Sequence, residues 1–196
     1  MEKYFDQARL TEALSLLHEQ LLLLDDAPTT ELVICGGSAL IAMGLVPRTT
    51  RDLDIVALIQ ANQLLPSAPL PDYLLQAAKK VANILALPND WLNNGPSSQF
   101  VMGFPLGFQE RLTTVPIGEK LVVHYISRYD QIFFKTYAAA DRGGYHVRDL
   151  QALSPSEEEL VAAAHWCMTQ DVSEEFHIIL KSMFQQLGWQ NVSNRI

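Results

Sequence analysis

Leu10, Leu14, Leu17, Leu21 and Leu24 recur at steps of four and three residues, which lines them along one face of a helix. The spacing predicts an amphipathic helix over residues 3–26. After the break DDAPTTE comes Leu32-Val33-Ile34-Cys35, a continuous apolar run of the kind a strand buried on both faces requires. Residues 38–45 read as a helix and residues 52–59 as a second strand. LPSAPLPDY is a loop, and Asp72 is expected to cap a helix that runs to about Leu87. Residues 88–119 are dense in Pro, Gly, Asn and Ser, so a long irregular segment is expected there, with one short strand at 99–104. KLVVHYI, residues 120–126, alternates as a strand does. From Tyr129 onward the pattern is helical throughout. One helix spans about 129–141 and closes at Gly143-Gly144. A second starts at Ser156, where Ser156 and Glu159 form the S-x-x-E capping pattern, and reaches about Met168. A third runs over 173–187 and stops at Gly188. The expected fold class is therefore α/β (α+β). Residues 1–126 would form a small mixed sheet flanked by helices, and residues 127–196 a helical region packed on that core.

Composition narrows the partners. Of the 196 residues 48% are hydrophobic and 18% charged, the balance of a globular chain. A formal charge of -8 gives no general attraction to nucleic acid or anionic membrane, so a polyanionic partner needs a local basic patch. Cys35 and Cys167 form no C-x-x-C pair, and reduced thiols are the expectation. MEKYFDQARL lacks the pattern of a signal peptide, and no apolar run approaches the roughly 20 residues of a membrane span. A soluble, cytoplasmic protein is expected.

The chemistry concentrates in ICGGSALIAMGLVPRTTRDLDIVAL, residues 34–58. Residues two apart in a strand share a face, so Asp52 and Asp54 present their carboxylates together while Leu53 and Ile55 point to the core. Two adjacent acids repel unless solvent or a cation relieves them. Magnesium takes one or two carboxylates together with substrate phosphates, so the pair suits metal-assisted attack on a phosphate. Gly36-Gly37-Ser38 lies between strand and helix, where missing side chains let an anion approach backbone N–H groups. Ser38 can cap that helix or bond a phosphate oxygen. The plainer reading, a tight turn beside a solvated loop, stays open at this point. Other phosphate and metal motifs are excluded. An EF-hand loop starting at Asp52 needs Gly and Glu where Ala57 and Gln63 stand. Neither a P-loop nor G-x-G-x-x-G is present.

GGSAL followed by Arg48-Thr49-Thr50-Arg51-Asp52-Leu53-Asp54 resembles the glycine motif and R-x-T-x-D-[IL]-D signature of minimal nucleotidyltransferases of the DNA polymerase beta superfamily. More narrowly it resembles the group related to AbiEii-type toxins. YDQIFFKTYAAADRGGYHVRDLQAL, residues 129–153, is similar to a helical segment of that group. The resemblance implies an NTP substrate, Mg²⁺ or Mn²⁺ on Asp52 and Asp54, and nucleotide contacts from Gly36, Gly37, Ser38, Arg48 and Thr50. It also implies roles for Lys135, Arg142 and Asp149, with Lys135 counted among the catalytic residues. The implied acceptor is tRNA or protein, and the implied setting a toxin with a cognate antitoxin. Two departures stand against it. The strand expected to carry a third carboxylate, KLVVHYI, offers His124 and no acid, which leaves Glu110 and Glu119 as candidates; and Ala152 stands where relatives often have an acid.

Other residues carry two readings each. Arg48 and Arg51 either meet phosphate or neutralise the acids, and with Lys135, Arg142 and Arg148 they are the candidates for a local RNA groove. His124 reads as a satisfied strand histidine, and His165 as packed within a helix. Trp91 in WLNNG either frames a base or anchors its loop. Three readings follow: a metal-dependent nucleotidyltransferase, a degenerate nucleotidyltransferase fold that binds nucleotide or protein without turnover, and, third, a purely structural role.

Overall fold

The computed structural model describes residues 4–196. Lys3, where the first helix was expected to begin, lies outside the described residues. The chain divides after Ile126 into an α/β unit and a helical unit, Ser127–Ile196.

In the α/β unit, helix α1 spans Gln7–Leu22, shorter at both ends than the leucine spacing predicts. Its start is set by Asp6, whose side chain accepts the Arg9 N–H at 2.8 Å. Ahead of the cap the backbone is extended: Phe5 forms an isolated antiparallel bridge with Thr50, donating to its carbonyl at 2.6 Å and accepting its N–H at 2.9 Å. Leu10, Leu14, Leu17 and Leu21 are buried on one face, as the spacing requires.

Strand β1, Thr30–Cys35, is the centre of a mixed sheet. Helix α2, Gly36–Ala42, follows without a linker. Strand β2, Leu53–Gln60, pairs antiparallel with β1, and a two-residue turn at Ala61-Asn62, both at positive φ, returns the chain into β3, Gln63–Pro66. Pro66 has no N–H to continue the ladder. Ser67 instead donates its hydroxyl to the Ile55 carbonyl at 3.0 Å, and the chain leaves the sheet. The edge of β2 at Leu53 and Asp54 is thus left for another strand. Helix α3, Asp72–Leu85, starts at Asp72 itself; Pro71 holds the cap position, so the expected cap is not made.

The segment expected to be irregular is more ordered than its composition implies. Strand β4, Leu92–Asn93, pairs parallel with the open edge of β2. Residues 99–104, expected as a strand, lie mostly in helix α4, Ser98–Met102. Strand β5, Thr113–Gly118, returns as a hairpin into β6, Leu121–Tyr125, which runs parallel to β1. The sheet order is β3-β2-β1-β6-β5. Leu32, Ile34, Leu53, Ile55, Leu121 and Val123 share one core with the apolar faces of α1 and α3. The alternate positions Glu31, His124 and Asp54 therefore belong to the other face of the sheet. There His124 bonds Glu31 through Nε2 at 2.8 Å and Thr114 through Nδ1 at 2.9 Å, a satisfied cross-strand histidine.

The helical unit contains α5, Arg128–Arg142; α6, Tyr145–Ala152; α7, Glu157–Gln170; α8, Glu174–Gln186; and α9, Gln190–Arg195. Ser127, Ser156 and Ser173 each cap the helix that follows by accepting a backbone N–H, and Glu159 completes the expected capping box at Ser156. Arg128 forks onto Glu159 at 2.7 and 3.2 Å and holds that carboxyl below the usual range. His165 is exposed on α7 rather than packed, because the buried stripe runs through Ala164, Trp166 and Cys167. Burial pushes the Cys167 thiol well above its ordinary range, so it stays a neutral apolar side chain. Among the described residues no helix is long and apolar enough to cross a membrane.

Candidate functional site

The registers of β1 and β2 bring the two motifs of residues 34–58 together. Cys35, the last residue of β1, pairs with Asp54, so the next residue, Gly36, lies directly beside the Asp54 side chain. A Cβ on Gly36 would stand 2.6 Å from Asp54 Oδ2, and its φ of +69° is one that side chains rarely adopt. Glycine is therefore required there twice over. At Gly37 a Cβ would stand 2.6 Å from Thr50 Oγ1 and 3.0 Å from Arg48 Nη2. Thr50 Oγ1 in turn donates to Asp52 Oδ1 at 3.4 Å. Gly36, Gly37, Arg48, Thr50, Asp52 and Asp54 thus form one cluster, with both acids half-buried and Arg51 exposed. The Phe5 bridge pins Thr50 from the other side, which fixes the entry to the D-L-D strand.

Ser38 behaves differently from expectation. The helix begins two residues before it, Cys35 holds the cap position, and the fully buried Ser38 hydroxyl donates to the Cys35 carbonyl at 3.2 Å. It tightens the strand-to-helix turn and leaves the cluster to the two glycines.

The strand order also relocates the question of a third acid. KLVVHYI becomes β6, which pairs with β1 and β5, not with β2. Glu119 lies in the β5–β6 turn beside Thr29, whose hydroxyl donates to its carbonyl, at the opposite end of β1 from Cys35. That separation is about 16 Å at roughly 3.3 Å per strand residue. Glu110 follows Gln109, which is tied to the Asn62 carbonyl in the β2–β3 turn, at the far end of β2 from Asp54. Neither glutamate sits beside the pair. The residue that does is Asn93, in register with Asp54 across the β2–β4 ladder. Among the described residues no group of three or more His, Cys, Asp or Glu side chains is arranged to hold a metal.

A family model described as a nucleotidyltransferase of unknown function, DUF6036, matches residues 11–155. The chain belongs to this nucleotidyltransferase family. The matched span contains both glycines, both acids, Asn93, Lys135, Arg142 and Asp149. No curated protein and no solved structure matches the chain.

In the helical unit of this nucleotidyltransferase-family protein, Lys135 and Asp149 meet each other. Lys135 Nζ lies 2.8 Å from Asp149 Oδ2, with side chains 5% and 3% exposed, and 5.7 Å from the centre of the Tyr145 ring. Arg142, the last residue of α5, pairs with Asp141 on the surface. Trp91 is fully buried and donates its indole N–H to the Ala78 carbonyl at 2.9 Å, which makes it the anchor of its loop.

Gly36→Ala tests how closely the glycine and Asp54 depend on one another. The new methyl must push the Asp54 carboxylate aside, and misplacing a reacting group by about 1 Å costs on the order of 10²-fold in rate. Nucleotidyl transfer is expected to fall by about that factor, with a loss of roughly 1–3 kcal/mol in urea unfolding from the strained φ. Gly44→Ala, also at positive φ but with nothing within 4 Å of the added Cβ, is the control for backbone strain alone.

Proposed function

We propose that this protein is a metal-dependent nucleotidyltransferase that moves a nucleoside monophosphate from an NTP to an acceptor, with release of pyrophosphate. The observation that carries the proposal is the seating of Asp54 over Gly36, with Asp52 beside it and Gly37, Thr50 and Arg48 at its margin. The donor set is one of hard oxygens, and the cradle under Asp54 exists only because no side chain fills it, so the residues fit Mg²⁺ or Mn²⁺. When bound, such an ion would polarise the α-phosphate and offset charge on the leaving pyrophosphate. Asp52 and Asp54 would hold it; Thr50 orients the Asp52 carboxylate. Gly37 would let phosphate oxygens approach the backbone, and Arg48 and Arg51 are the nearby guanidinium groups for the remaining phosphate charge. Lys135 and Asp149 satisfy each other within the helical unit, and no phosphate contact is assigned to them.

The AbiEii resemblance makes tRNA or protein the expected acceptor and growth arrest the expected effect in a bacterial host; unimpaired growth with abundant protein would argue against that extension. The central test is label transfer from each α-labelled NTP to the protein itself, to bulk tRNA and to lysate protein, with and without divalent cation. Equal labelling by an Asp52→Asn/Asp54→Asn variant would overturn the metal role. That no third acid stands beside Asp54 among the described residues favours one second reading, a nucleotide-binding module without turnover. NTP binding by calorimetry, with no label transfer to any of these acceptors, would select it.

A further inference from the structure

Strand β4 is only two residues long, yet it places a side chain next to the Asp52–Asp54 pair. Leu53 pairs with Leu92 and Asp54 with Asn93, in parallel. Side chains in register on neighbouring strands point to the same face. The glycine at position 95 locates them: a Cβ there would stand 3.0 Å from Asn93 Oδ1 and 4.0 Å from Asp54 Oδ1, so both oxygens border the same small space.

Asn93 is held where it stands. Its Oδ1 accepts the Gly95 N–H at 2.8 Å, and its Nδ2 reaches the Asp90 carbonyl at 3.4 Å. The flanking residues are tied down as well. Trp91 accepts the Leu53 N–H at 2.6 Å, and Asn94 donates to the Ser67 carbonyl at 2.9 Å. An amide oxygen has two lone pairs, so the Gly95 bond leaves capacity for a second partner.

We propose that Asn93 is the third side chain of the Asp52–Asp54 site, contributing a neutral amide oxygen to a divalent cation. The proposal rests on the reading that these two carboxylates hold such an ion. Two carboxylates and one amide attract a cation less strongly than three carboxylates. The protein's own hold on the ion is therefore modest, and the phosphates of an arriving NTP complete its coordination. This is the usual division of labour for magnesium.

The probe is Mn²⁺ alone, titrated into the 196-residue chain and followed by the EPR signal of the free ion. Thermal melts confirm that each variant is folded. Asn93→Asp keeps an oxygen for the Gly95 N–H and adds one negative charge beside Asp54, so Mn²⁺ should bind at least tenfold more tightly. Asn93→Ser keeps a turn-forming oxygen but withdraws it from the cation, so binding should weaken several-fold. Asp54→Asn should weaken it most. If Asn93→Asp and Asn93→Ser both bind Mn²⁺ as the unaltered protein does while Asp54→Asn is impaired, Asn93 serves only its turn and the proposal is overturned, with the carboxylate site intact. If Asp54→Asn and Asp52→Asn leave Mn²⁺ binding unchanged, the carboxylate site itself falls, and Asn93's role with it. Should Asn93→Asp fail to fold, the Asn93→Ser titration decides alone.

Discussion

Replacing Asp54 by asparagine is expected to lower label transfer on the order of 10³-fold or more, while the urea midpoint stays within experimental scatter. Metal-borne stabilisation of phosphoryl transition states is worth several kcal/mol, and each 1.36 kcal/mol is a factor of ten. The substitution keeps the shape of a half-buried side chain seated over Gly36, so Gly36 still has no Cβ to clash with it. It also removes one of two neighbouring negative charges, which relieves repulsion with Asp52 and offsets any lost hydrogen bonding. Stability and transfer should therefore separate cleanly. Asp52→Asn should lose comparable activity, and its amide can still accept from Thr50 Oγ1, so the entry to β2 is preserved. Transfer at wild-type rates by Asp54→Asn would mean that the carboxylate pair is a structural accident of the strand.

The acids, glycines and arginine of this cluster are legible in the sequence because they lie within one short span that folds on itself. Alternation places Leu53 and Ile55 in the core and turns Asp54 to the other face, and both aliphatic residues are indeed fully buried. The leucine spacing of α1 and the serine caps at Ser156 and Ser173 are local signals of the same kind. What the sequence conceals depends on long-range pairing. Nothing near Phe5 announces a bridge to Thr50, where the backbone is extended just ahead of the Asp6 cap that starts α1. Strand β4 is too short to show any period, and it pairs with the stretch of β2 that lies beyond the β3 ladder, which runs only to Pro66. The window 99–104 is too brief to tell a period of 2 from one of 3.6, and it proves helical. Glu110 and Glu119 are candidates because they precede KLVVHYI along the chain, whereas register puts both far from Asp54 and an asparagine next to it.

Lys135→Met is expected to destabilise the helical unit by about 3–5 kcal/mol, the cost of removing one charge of a buried ion pair. The pair is unusual in its burial: Lys135 comes from α5 and Asp149 from α6, they meet at 2.8 Å, and both are almost wholly removed from solvent. Without the Lys135 ammonium, the Asp149 carboxylate loses its opposite charge in a poorly solvated place. Against a total stability of about 5–15 kcal/mol typical of folded domains, such a loss should shift the urea midpoint conspicuously. Lys135→Met/Asp149→Leu removes both charges and should recover most of the loss, since apolar replacement of a whole buried pair is often neutral. A loss below about 1 kcal/mol in the single variant would place the pair in the class of solvent-exposed salt bridges. The double variant also separates structure from chemistry. If it folds stably and still transfers label, Lys135 serves α5 and α6 alone; if it folds and transfers none, the lysine has a second role that its buried carboxylate keeps in reserve.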